Sequence, residues 1–127
     1  MKGYFLLIVM GMLNACAKDN TPSGELNGTY VGNYLETGSL QDSGTVKIVF
    51  VGSNFSGTSM GTSRSICNGG YVVSGDSINF SNLCSTPDPE LLLAGKYELT
   101  KTSDSLYFTR TFSGVMTYTE QFSLKMQ

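Results

Sequence analysis

The chain has 127 residues with eight basic and ten acidic side chains, only 14% of it charged, and it contains neither His nor Trp. That length provides for one domain with one modest core and excludes a multidomain enzyme. Without His there is no Ser-His-Asp or Cys-His nucleophile, no histidine metal site and no histidine pH switch.

Polarity rests on 16 Ser, 13 Thr and 15 Gly, the balance of a β-rich domain outside the cytoplasm. At the N-terminus Lys2 precedes an apolar run from Tyr4 to Leu13, followed by small residues ending at Cys16. Ten apolar residues span about 15 Å as a helix, half of a hydrocarbon core of about 30 Å, so the run reads as a secretory leader rather than a membrane span. Leu13-Asn14-Ala15-Cys16 resembles the lipobox of bacterial lipoproteins. The resemblance implies cleavage before Cys16 and acylation of its sulfur with palmitate-type chains. At about 0.8 kcal/mol per buried methylene, several chains anchor a domain permanently. Ala17-Lys18-Asp19-Asn20 is similar to the short signal that sends lipoproteins of Bacteroidota to the outer face of the outer membrane, which implies surface display, with a periplasm-facing anchor as the alternative.

The domain organisation that follows is a signal peptide over 1–15, a flexible tether over 16–26 and a folded domain over 27–127. The tether assignment rests on the Pro, Ser, Gly and charge content of Lys18 to Glu25. Loss of Lys2 with the leader leaves seven basic against ten acidic side chains, a net charge of −3. Such a chain has no basic patch for nucleic acid or anionic lipid. With Cys16 assigned to lipid, Cys67 and Cys84 remain as one pair, and in an oxidising compartment they are expected to form a disulfide worth about 3 kcal/mol.

From Leu26 onward no apolar stripe has helical period, and short alternating runs are separated by Gly, Ser, Asn and Asp. Eight strands are predicted, near 28–35, 44–51, 54–60, 68–74, 77–81, 91–100, 104–112 and 115–126. Hairpin phase tests the assignment, because facing residues of an antiparallel pair share a side. A Gly52-Ser53 turn sets Phe50 opposite Phe55 and Ile48 opposite Gly57. A Gly75-Asp76 turn sets Val73 opposite Ile78 and Tyr71 opposite Phe80. A Thr102-Ser103 turn sets Leu99 against Leu106, Tyr97 against Phe108 and Gly95 against Arg110. The last hairpin keeps its apolar face only with an odd connection, Ser113-Gly114-Val115 or longer. In that phase Arg110 and Glu120 both point inward on neighbouring strands, which predicts an internal ion pair near an open end, or a polar anchor at the floor of a ligand pocket.

Eight such strands read as an antiparallel meander barrel closed between its first and last strands, with a two-sheet sandwich as the alternative. Leu26-Asn27-Gly28-Thr29-Tyr30, with the residues through Tyr34, resembles the Gly-x-aromatic first strand of calycin barrels, the lipocalins and avidins. Tyr30 stands where lipocalins carry Trp and the avidin tryptophans are absent, so biotin or retinoid binding is not carried over. Eleven aromatics are expected inside: Tyr30, Tyr34, Phe50, Phe55, Tyr71, Phe80, Tyr97, Phe108, Phe112, Tyr118 and Phe122. They are enough to fill the lumen of a small barrel.

Ser85-Thr86-Pro87-Asp88-Pro89-Glu90 follows Cys84 directly, and its two prolines predict a stiff, protruding recognition loop. Asp88 and Glu90 alone do not make a metal site. No phosphate loop, CxxC pair or spaced carboxylate set is present, so neither a cofactor nor an enzymatic activity is expected. The function read from the sequence is a non-catalytic, lipid-anchored envelope barrel, binding or structural, whose candidate partners are a protein, a glycan or a small apolar ligand. The alternative is an inhibitor of an envelope or host hydrolase, such as a lysozyme or a protease, acting through residues 85–90.

Overall fold

A computed structural model describes residues 25–127; the leader, Cys16 and most of the tether lie outside them. Eight antiparallel strands form a closed meander: β1 (Gly28–Gly38), β2 (Asp42–Val51), β3 (Asn54–Met60), β4 (Cys67–Ser74), β5 (Ser77–Asn82), β6 (Gly95–Lys101), β7 (Ser105–Phe112) and β8 (Tyr118–Met126). Closure is made by β1 on β8, from Tyr30↔Met126 to Gly38↔Tyr118, so neither the first nor the last strand is left as a free sheet edge. The sandwich alternative is thereby replaced by a barrel.

The core follows from strand alternation. Ile48, Phe50, Phe55, Ile78, Phe80, Tyr97, Phe108 and Phe122 are buried, and the rings meet mostly edge to face, while Phe108 and Phe122 stack at 4.6 Å. On the outer face of β8 stand Gln121, Ser123 and Lys125, so the polarity is inverted relative to a membrane-spanning barrel. Nine of the eleven aromatics expected inside are buried. Phe112 and Tyr118 stack on one another at the rim instead, with Phe112 37% exposed, because both lie at strand ends above the packed layers.

Two hairpins have the expected register, Phe50↔Phe55 and Tyr71↔Phe80. Gly52 and Gly75 take positive φ of 58° and 60°, as turns matched to strand twist require. The third is corrected. Thr102 N–H donates to Ser105 O at 3.0 Å, which centres the turn on Ser103-Asp104, one residue later than expected. Pairing therefore shifts by two, giving Leu99↔Phe108 and Lys101↔Leu106, and the inward face is preserved because the shift is even. A bond from Met126 N–H to Asp104 O ties this turn to β8. The last connection has an odd length, five residues from Ser113 to Thr117, and Val115 and Met116 lie exposed within it rather than opening the strand.

The two ends differ. One carries the short turns and the start of β1, where Leu26, assigned to the tether on sequence, is buried and its N–H donates to Tyr71 Oη at 2.9 Å. The other carries the longer connections, residues 39–41, 61–66, 83–94 and 113–117.

Candidate functional site

The long-connection end is capped by a buried polar cluster. Alternation continued past Tyr34 turns Glu36 inward on β1, and Glu36 faces Glu120 of β8 directly in register. Arg110 on β7 is likewise in register with Glu120 and donates from Nε to Glu120 Oε1 at 2.9 Å. Two facing carboxylates with one guanidinium would leave a buried negative charge, which is costly. Arg64 supplies the missing cation. It reaches in from the connection between β3 and β4, is 4% exposed, and pairs through Nη2 with Glu120 Oε2 and, at 3.4 Å, with Glu36 Oε1.

Two tyrosines complete the network. Tyr34 donates to Glu36 at 2.5 Å and Tyr97 to Glu120 at 2.9 Å. Burial, and then the adjacent carboxylate, push both phenols well above the ordinary tyrosine value, so they act as donors throughout the physiological range. Burial works against the charge of the Arg64 guanidinium, and Glu120 together with the Tyr34 and Tyr97 phenols outweighs it, so the group is held charged.

Arg64 also fastens the loops. Its Nη1 donates to Glu90 O at 2.8 Å and to Leu92 O at 3.4 Å. Ser65 exchanges backbone bonds of 2.9 Å with Leu91 and Leu93, forming an isolated parallel bridge to Leu92. Asn82 donates to Ile66 O and Leu93 O, and Ile66, Leu92 and Leu93 are buried beneath. The 61–66 and 83–94 connections therefore form one lid over the polar cluster. Leu92 and Leu93, expected in the sixth strand, belong to this lid, and β6 starts at Gly95.

Cys67 and Cys84 form a disulfide that fixes the start of the 83–94 connection to β4, with Cα atoms 6.3 Å apart. The following segment, Pro87, Asp88, Pro89 and Glu90, is exposed. It does not stand away from the barrel as a free protrusion: Pro89–Leu91 forms a 3-10 turn whose carbonyls are bound by Ser65 and Arg64. Only its apex, from Thr86 to Glu90, is free to touch a partner.

Glu36 and Glu120 resemble, in kind, the carboxylate pair of a hydrolytic site. Their surroundings differ from such a site, since Glu120 is 1% exposed and Arg64 bridges the two. Among the described residues no group of three or more Cys, Asp or Glu side chains could hold a metal, and no helix is long and apolar enough to cross a membrane. The principal cavities are grooves on the outer wall, such as those along Leu35–Thr37 with Asp42 and along β6 and β7. Compared with protein-family models, with curated proteins and with solved structures, the chain matches none of them.

Proposed function

We propose that this protein is a non-catalytic lipoprotein of the bacterial outer membrane, anchored through acylated Cys16 and displaying a binding or structural barrel at the cell surface. The observation that carries this reading is the apolar leader ending in Leu13-Asn14-Ala15-Cys16. The architecture supports it, because β1 enters at the short-turn end. The ten residue steps from Cys16 to Leu26 reach at most about 35 Å. An anchored barrel would thus turn its short turns to the membrane and its lid outward. The packed aromatic interior favours contacts on the outer surface over a small apolar ligand carried inside.

The test is metabolic labelling with a fatty acid together with protease digestion of intact cells. Label in the wild-type chain, its loss in Cys16→Ser, and cleavage of the barrel from outside support surface anchoring. Label without cleavage assigns the periplasmic face, and no label removes the anchor.

The rigid apex at Thr86–Glu90 favours a second reading, an inhibitor of an envelope or host hydrolase. A loop fixed by the disulfide, by Ser65 and by Arg64 enters a cleft with little ordering cost. Inhibition of lysozyme or secreted proteases that disappears when 85–90 is replaced by Gly and Ser supports it, and inhibition that survives the replacement excludes the loop.

A further inference from the structure

The ladder between β6 and β7 is incomplete. It runs from Lys101↔Leu106 to Glu98↔Thr109 and stops, although β6 extends back to Gly95 and β7 on to Phe112. Leu99 N–H donates to Asp76 O on the β5 side at 2.7 Å, so odd-numbered residues of β6 turn their backbone groups to β5 and even-numbered ones to β7. Glu98 and Thr109 are thus the last hydrogen-bonded pair. One step further Lys96 and Thr111 face each other outside the ladder, where the reciprocal backbone bonding of the two strands is broken. The gap opens on the outer wall as a groove of about 390 Å³, lined by Lys96, Tyr97, Glu98, Thr109, Arg110 and Thr111.

Arg110 forms the inner side of this cleft. Its guanidinium lies 4.2 Å over the Tyr97 ring, Nε is committed to Glu120 and Nη1 to Ala94 O at 2.6 Å. Gly95 makes room for it: φ is +92°, and a Cβ there would lie 2.6 Å from Nη1. Nη2 has no hydrogen-bond partner among the described residues and is open to solvent. The Lys96 ammonium is exposed at the rim and Glu98 stands beside it. Donors from a guanidinium and an ammonium, side by side at the open end of the ladder, suit an anion. Neutralisation of Arg110 by Glu120, with Glu98 nearby, limits that anion to a single charge.

We propose that the β6–β7 cleft binds one carboxylate group of a ligand, received by Arg110 Nη2 and the Lys96 ammonium at the open end of the ladder. The inference rests on the binding reading of the barrel but not on its anchoring, so absence of lipid on Cys16 would leave it standing. A carboxylated sugar and a peptide C-terminus share this chemistry. The test is a titration of the full chain, purified in detergent, that follows its backbone amide resonances. Probes are acetate, glucuronate and N-acetyl-alanyl-alanine, against acetamide, glucose and the peptide amide. Saturable shifts at Lys96 and Thr111 with the carboxylates alone are expected, and the source is whichever of glucuronate and the peptide binds more tightly than acetate. Lys96→Glu, an exposed change whose fold is verified in the same spectra, should weaken binding about tenfold, the equivalent of one charge-assisted contact. Equal shifts with the neutral partners, no shift with any carboxylate, or undiminished affinity in Lys96→Glu would overturn the proposal.

Discussion

Arg64 and Glu120 lie 56 residues apart in the chain and meet as a buried ion pair, 4% and 1% exposed at their side chains. Through this pair a loop residue is locked to the last strand. The lid, the barrel wall and the polar cluster become one unit. Because Arg64 also neutralises Glu36 and carries two lid carbonyls, its removal strands several partners at once.

Arg64→Met should therefore destabilise the fold by about 3–5 kcal/mol, the cost of leaving an uncompensated buried charge. Denaturant unfolding measures it. Lys47→Met, which removes an exposed cation from the outer face of β2, should stay within about 0.5 kcal/mol. Equal effects of the two substitutions would show that the cluster carries no special weight.

Loss of the disulfide should act on the lid more than on the barrel. Replacing Cys67 and Cys84 together by Ser is expected to cost about 2–4 kcal/mol. It should also speed hydrogen exchange at Leu93 N–H, which is bonded to Ser65 O, before exchange at Phe108 in the core. Uniform acceleration across both sites would argue against a separate lid.

At Gly95 the backbone and Arg110 impose the same residue. Gly95→Ala places a side chain at a φ of +92° and against Nη1 of Arg110, and the cost should be about 1–3 kcal/mol. Gly114→Ala, with open space at the Cβ position, should be nearly neutral in the same unfolding experiment.

Stability should decline at both extremes of pH, for different groups. Tyr34 and Tyr97 have phenols raised by burial and by Glu36 or Glu120, so their contribution is complete below the ordinary tyrosine value near 10 and is lost as pH rises through their folded values. Asp42 is pushed up by partial burial, yet hydrogen bonds from Thr62, Ser63 and Ser43 hold it below its ordinary 3.8. Its contribution is present above 3.8 and is lost as pH falls through the lower folded value. Tyr97→Phe should flatten the alkaline limb, Asp42→Asn the acid limb, and a pH series of unfolding midpoints distinguishes the two.

The barrel was legible in the sequence because its information is periodic. Phe50 with Phe55 and Tyr71 with Phe80 fix two registers through turn length alone, and the need to keep Phe112 and Tyr118 on one face required an odd last connection. The Arg110–Glu120 pair followed from the same phase. What alternation cannot address is a residue in a loop: Arg64 sits in Gly61-Thr62-Ser63-Arg64-Ser65, a polar stretch without period, and its partners are tertiary. Glu36 was within reach, since it continues the inward series of Tyr30 and Tyr34. The split between β6 and β7 was hidden, because moving the turn from Thr102-Ser103 to Ser103-Asp104 alters pairing by two residues while leaving every side chain on its face.

The most direct measurement of the central claim, an envelope barrel held by lipid at its short-turn end, is the intact mass and N-terminal residue of the chain purified from bacterial membranes. The account predicts a protein that begins at Cys16 and carries the added mass of acyl chains. A chain that retains residues 1–15, or that begins at an unmodified Cys16, would contradict it.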